Sequence, residues 1–141
     1  HYLNPNNHNM TLFPEALSCL QRLQQQGYWL AIATGKGRSG LDKAIAQTDT
    51  QAFWLETACA SEYPSKPAPD MVLALCDRLG VEPEEAVVVG DTTHDLEMAA
   101  NAKIRAIAVA TGAHTAQQLS SMPHVAILNS LAELPDVLKT L

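Results

Sequence analysis

Four short polar segments carry residue types that can handle a phosphate: Thr34-Gly35-Lys36-Gly37, Ser65-Lys66-Pro67, Gly90-Asp91-Thr92-Thr93-His94-Asp95 and Thr111-Gly112. A hydroxyl, glycine amides and an ammonium at one spot favour an anion, because helix-start N–H groups and a cationic point charge both attract negative oxygen. Asp91 and Asp95 would repel that anion unless a cation lay between. Hard carboxylate oxygens beside a phosphate are the usual surroundings of Mg2+, which takes one or two protein carboxylates and completes its octahedron with water and substrate oxygen. Together the segments point to a Mg2+-dependent phosphate site. Each also has an ordinary structural reading. Thr-Gly after a strand is a common turn, Lys66 can be a solvated lysine, and Asp91 and Asp95 can be an N-cap and a first-turn acid complementing a helix dipole. Their shared order and placement favour the functional reading.

The placement follows from the apolar pattern. Ala16, Leu17, Leu20 and Leu23 recur at helical spacing after Pro14, with Gly27 as a stop, and predict a helix. Tyr28 to Ala33 runs apolar on both faces for strand length, as in a parallel strand covered by helices on both sides. Ser39 is expected to cap a helix through Ala46, and Phe53-Trp54-Leu55 to form a short strand leading to the loop Ser61 to Pro67. Pro69 then opens a helix with Val72, Leu73, Cys76 and Leu79 on one face, closed by Gly80. Ala86 to Val89 is the clearest strand; it enters Gly90-Asp91 and a helix from about His94 to Ala102. Ile104 to Ala110 and Val125 to Leu128 are further strands, with a short helix between them that Thr115 and Gln118 can open as a capping box. Ser130 with Glu133, or Pro135, can start the last helix. Such alternation predicts an α/β fold, a doubly wound parallel sheet whose ligands lie outside the carboxyl ends of its strands.

Composition narrows the classes. The 141 residues, 47% hydrophobic and 17% charged, make one ordinary folded domain. Nine Lys and Arg against fifteen Asp and Glu give a net charge of -6 with no basic face, which argues against nucleic acid as partner. Cys19, Cys59 and Cys76 lie among apolar residues, as buried thiols of a reducing, cytoplasmic compartment would. No apolar run approaches membrane-spanning length, and the polar start is no signal peptide. Residues 1–10, with four Asn and one Pro and with His at position 1, read as a linker, so the chain is expected to begin inside something longer. Neither Gly-x-Gly-x-x-Gly nor a Walker-type Gly-Lys-Ser/Thr loop occurs, and Gly35-Lys36-Gly37 is not one.

The arrangement resembles the haloacid dehalogenase superfamily, in particular its phosphoglycolate-phosphatase-like branch. Leu30-Ala31-Ile32-Ala33-Thr34-Gly35 is similar to that family's second motif, Lys66-Pro67-Ala68-Pro69 to its third, and Gly90-Asp91-Thr92-Thr93-His94-Asp95, continuing into Met98-Ala99-Ala100-Asn101-Ala102, to its fourth. Leu12-Phe13-Pro14 resembles the segment by which such enzymes return from a cap to the core, so residues 1–10 are a linker or a remnant of that segment and 11–141 a core domain. The resemblance implies that Thr34 holds a phosphate oxygen with the Gly35 amide beside it, and that Lys66 neutralises charge on nucleophile and phosphoryl group. It implies Asp91 as a Mg2+ ligand and Asp95 as a ligand or the partner that holds Lys66.

One departure matters most. The family's first motif, Asp-x-Asp-x-Thr or Val on the first core strand, supplies the nucleophile, and no Asp-x-Asp occurs here. That strand normally lies between the strands ending at Thr34 and Gly90; without it two strand edges and a trench are expected. The resemblance therefore implies a Mg2+-dependent phosphatase of small phosphorylated metabolites acting through an aspartyl-phosphate, of which this chain is the part without nucleophile and cap, inactive alone and partnered by an upstream fragment of the same protein. The alternative is a noncatalytic member that binds phosphate or a partner. A phospho-receiver domain fits poorly, because its acidic pair precedes its Thr and Lys. Lys36 and Arg38 either reach substrate or are solvated; His94 reads as a surface residue at a helix start, Trp29 and Trp54 as core or cap-facing packing residues, and His114 has no assigned role.

Overall fold

The computed structural model describes residues 14–110 and 114–141. The readings placed on residues 1–10, on Leu12-Phe13 and on Thr111-Gly112 lie outside the described residues. Five strands and six α-helices alternate in the order α1 (Pro14–Gln25), β1 (Leu30–Thr34), α2 (Arg38–Thr48), β2 (Trp54–Cys59), α3 (Asp70–Leu79), β3 (Val87–Gly90), α4 (Thr93–Asn101), β4 (Arg105–Val109), α5 (Ala116–Leu119), β5 (Ala126–Leu128) and α6 (Leu134–Leu138). All strand pairs are parallel, which confirms the α/β class, but they form two sheets: β1 with β2, and β3-β4-β5.

Helices cover both faces of each sheet. Below the two-stranded sheet, Ile32 and Cys59 pack on Leu41 and Ile45 of α2; on its other face Ala31, Ala33 and Ala58 pack on Met71 and Leu75 of α3. In the larger sheet Ile107, Val109 and Leu128 meet Ala16, Cys19 and Leu23 of α1 and Leu134 of α6, while Ala106 and Ala108 meet Leu96 and Ala99 of α4 and Leu119 of α5. This alternation of faces along each strand is what a doubly wound layer requires.

Between the two sheets runs a cleft of about 400 Å³, lined by Leu30, Ala31 and Ala33 of β1 on one side and Val87, Val88 and Val89 of β3 on the other. Among the described residues β1 pairs only with β2 and β3 only with β4, so each presents one edge of backbone groups without a described partner to the cleft. Burial tells the same story. Ala106 to Val109 of β4, a strand paired on both sides, are buried throughout, whereas the equally apolar Val87-Val88-Val89 are only half-buried. The trench expected from the missing first strand is present.

Local differences from the expected elements have physical causes. The first strand starts at Leu30, because Tyr28 and Trp29, at 38% and 62% exposure, stand at the cleft mouth with nothing covering them. Trp29 is therefore not core packing, whereas Trp54 is half-buried against the α2 face and donates its indole N–H to Thr50 Oγ1 at 3.0 Å. Gly37, not Ser39, caps α2, which starts two residues earlier than expected and runs to Thr48. β2 extends to Cys59 through Glu56 and Thr57, whose polarity hid it. On α3 the buried face is Met71, Val72, Leu75 and Cys76, with Leu73 turned outward at 40% exposure. Both starts weighed for the last helix are used: Ser130 and Glu133 form a capping box on a 3-10 turn, and α6 follows with Pro135 in its first turn.

Candidate active site

The carboxyl ends of the two sheets are tied together by polar contacts. Lys66, in the loop after β2, donates from Nζ to Asp95 Oδ1 of α4 at 2.5 Å, with side-chain exposures of only 14% and 9%. Asn101 Nδ2 of α4 donates to the Pro67 carbonyl oxygen in the same loop at 2.9 Å, and the Lys66–Pro67 peptide is cis. This ion pair and amide bond thus span the two sheets at one end of the cleft, which Asp95 also lines.

Asp95 is fully occupied. Its Oδ2 accepts from the Thr92 amide at 3.2 Å and the Thr92 hydroxyl at 2.9 Å, while its own amide donates to Thr92 Oγ1 at 3.2 Å, closing a capping box on α4. The N-cap is Thr92, not Asp91. Burial pushes the Asp95 carboxyl up, but the charge and hydrogen bond of Lys66, helped by the Thr92 hydroxyl, outweigh it and hold the group below the usual carboxylate range.

Asp91 is the opposite case. Burial pushes its carboxyl up, the neighbouring Asp95 carboxylate adds to the effect, and Lys66 opposes it without prevailing. Among the described residues it makes no salt bridge. A half-buried carboxylate beside a second carboxylate, with no cation of its own, has the donor chemistry a hard divalent cation needs. The residues therefore fit Mg2+, with Asp91 as the oxygen donor that makes no salt bridge among the described residues and Asp95 already engaged by Lys66.

Thr34 ends β1 opposite Cys59, and its side chain is buried at 2% exposure. Its Oγ1 accepts from the Lys36 amide at 3.2 Å, and its hydroxyl proton has no acceptor among the described residues. A buried O–H left to donate at a strand end, with exposed Gly35 next to it, suits an incoming anion oxygen. The loop is braced from the β2 side: Ala60 N donates to the Lys36 carbonyl oxygen at 3.0 Å, and Arg38 N donates to Ser61 Oγ at 2.9 Å. Arg38 is partly exposed, and its guanidinium donates to Asp42, Thr57 and Glu62 at 3.2, 2.9 and 2.9 Å. Lys36, half-buried, has no ion-pair partner among the described residues. Thiol chemistry has no place here: Cys19, Cys59 and Cys76 are free and buried, and burial pushes the Cys19 thiol up to about 11.

Gly90 shows how tightly the acid loop is built. A Cβ at this position would lie 2.3 Å from Asp95 Cβ and 2.7 Å from its carboxyl carbon. Gly90→Ala must therefore displace Asp95 from Lys66, at a cost of about 1–3 kcal/mol from overpacking alone. Urea unfolding should show a clearly lower midpoint; a midpoint equal to wild type would mean that the contact is looser than described.

The parallel α/β core thus carries a buried hydroxyl, a lysine–carboxylate pair and a carboxylate without a salt bridge among the described residues on the segments that leave the carboxyl ends of its strands. The chain belongs to the haloacid dehalogenase-like hydrolase family, whose model matches residues 1–109. It is 34% identical over 125 residues to "Probable phosphatase IndB" of Dickeya dadantii, covering 87% of this chain and 54% of that protein. It is 26% identical over 127 residues to a Vibrio vulnificus phosphoglycolate phosphatase, covering 89% and 56%. A putative haloacid dehalogenase-like hydrolase from Bacteroides fragilis superposes with a TM-score of 0.82 at 30% identity, covering 87% of this chain and 59% of that one. The chain thus spans little more than half the length of these relatives.

Proposed function

We propose that this chain is the larger part of a Mg2+-dependent phosphomonoesterase of small phosphorylated metabolites, and that an aspartate-bearing strand of the same protein fills the cleft between β1 and β3. The observation that carries the reading is the Lys66–Asp95 pair, which ties the two sheets at the end of the cleft that Asp95 lines, with the raised carboxyl of Asp91 coupled to both residues and buried Thr34 at the carboxyl end of β1. The phosphatase names of the relatives support it.

In this reading Thr34 donates its hydroxyl to a phosphate oxygen, and the Gly35 amide lies beside it. Lys66, aimed by Asp95, offers a fixed positive charge to the phosphoryl group and to the strand's carboxylate. Asp91 holds Mg2+, with Asp95 at the edge of that site; the ion, when bound, supplies neutralisation of phosphate charge. The occupant of the cleft must be extended and apolar on both faces, since it faces Ala31, Ala33, Val87 and Val89 and offers backbone groups to both edges. A phosphate-rich small molecule, not nucleic acid or membrane, is the substrate class: net charge is -6, and among the described residues no helix is long and apolar enough to cross a membrane. Buried free thiols fit a reducing, cytoplasmic setting.

The test is a synthetic peptide of four or five branched apolar residues ending in Asp-x-Asp, added to the purified 141-residue chain. Trp29 borders the cleft, so its fluorescence should change saturably as the peptide binds. Mg2+-dependent hydrolysis of p-nitrophenyl phosphate should appear with the peptide and vanish when its first Asp is replaced by Asn. Binding without any hydrolysis would favour the noncatalytic alternative, and no binding would remove the strand from the proposal.

A further inference from the structure

His114 has no place in the phosphate chemistry above, yet its side chain accepts a hydrogen bond from the backbone of the first turn of α4. The first turn of an α-helix leaves its N–H groups without intrahelical partners. In α4 the Thr92–Asp95 capping box satisfies the amides of Thr92 and Asp95, so two of these donors find partners within the segment itself. The amide of Thr93 is different: it donates to Nδ1 of His114, 21 residues further along, at 2.9 Å. That bond runs from the helix immediately after Asp91 to the segment following β4, so it couples two connections that both leave carboxyl ends of parallel strands.

The bond also fixes the form of the imidazole. An Nδ1 that accepts carries its lone pair there, so the ring is neutral and its proton sits on Nε2. His94, exposed, has its ring centroid 6.4 Å from that of His114 at a tilt of 56° and lies beside the tether without sharing its bond. We propose that His114 is a positioning residue of this site: through the Thr93 amide it holds the first turn of α4, and with it the Asp91 carboxylate, in the arrangement that receives the metal ion. The proposal rests on the reading of Asp91 as a Mg2+ ligand.

The test compares the wild-type chain with His114→Ala and His114→Asn, whose Oδ1 can replace Nδ1 as acceptor. Long-range 1H–15N spectra of wild type should show His114 as the Nε2–H tautomer. Amide exchange at Thr93 should speed up by up to about tenfold in His114→Ala, the loss expected for one hydrogen bond, and return toward wild type in His114→Asn. Mn2+ alone is the probe of the metal: the Mn2+ concentration that half-broadens the Asp91 signals should rise several-fold in the alanine variant and be restored by asparagine. Equal Thr93 exchange in wild type and His114→Ala, or a Nδ1–H tautomer, overturns the tether. A loosened Thr93 amide with unchanged Mn2+ affinity overturns the positioning role. A wild-type chain on which Mn2+ broadens nothing near Asp91 overturns both that role and the metal reading beneath it, whereas failure of the strand peptide to restore hydrolysis touches only the phosphatase reading.

Discussion

Lys66→Met is expected to destabilise the chain by about 3 kcal/mol at neutral pH, the low end of what breaking a buried ion pair costs. The pair is nearly but not wholly buried, with 14% and 9% side-chain exposure, which is why the low end applies. Methionine keeps the length of the side chain and removes its charge, so the loss comes from leaving Asp95 ionised among apolar neighbours with only Thr92 to bond it. The sign of the pH dependence separates this from a packing defect. In wild type the folded-state carboxyl of Asp95 lies below its unfolded value, so its contribution is present above the unfolded value, about 4, and is lost as pH falls through the folded one. In Lys66→Met burial is no longer outweighed by the lysine's charge, and protonation relieves the penalty. The difference between the two proteins should therefore be largest at neutral pH and shrink on acidification. Urea titrations at several pH values measure this; a constant difference would show that the lysine's methylenes, not its charge, hold the loops together. With the strand supplied, the same substitution should lower phosphomonoester hydrolysis by at least about a hundredfold, as removal of one transition-state charge donor does elsewhere.

The site was legible because its chemistry is local in sequence. Thr34, Lys66, Asp91 and Asp95 each sit at the end of an apolar run or just beyond one, and a parallel sheet brings such ends to one edge whatever the details of packing. Capping boxes at Thr115–Gln118 and Ser130–Glu133 were legible for the same reason, since each is complete within four residues. What could not be read depends on partners far away in the chain. Tyr28 and Trp29 continue the apolar run of β1, and only the open cleft beside them explains their exposure. Leu73 fits the helical spacing as well as Met71 does; the position of β2 decides which is buried. Arg38 could have served substrate, but Asp42, Thr57 and Glu62 claim its donors. His114 carries no sequence signal at all, because the amide it accepts from belongs to a backbone group 21 residues earlier. The broken sheet itself is a different lesson. Apolar periodicity reveals strands that are present, and the cleft became predictable only through a motif the chain lacks.

Asp91→Asn should raise the stability of the metal-free chain while abolishing its response to Mg2+. The wild-type carboxyl is held above its ordinary value, first by burial and then by Asp95. A raised folded-state value means that ionisation opposes folding: the penalty is absent below the unfolded value, grows as pH rises through the folded one, and is complete at neutral pH. Asparagine is nearly isosteric and uncharged, so it removes the penalty, and the advantage of the variant should grow with pH across that window. Mg2+ reverses the order. A ligand that binds only the folded state stabilises it by RT ln(1 + [L]/Kd), so wild type should gain melting temperature steadily with Mg2+ while Asp91→Asn gains none. Two melting curves for each protein, with and without Mg2+, therefore decide the matter without any assay of turnover. If the variant is more stable in both conditions and wild type ignores the ion, the raised carboxyl is a strained structural acid. If instead the curves cross as Mg2+ is added, the instability that Asp91 brings to the empty site is the electrostatic counterpart of its affinity for the cation, since the same desolvated carboxylate pair that opposes folding alone is what draws a divalent ion to that end of the cleft.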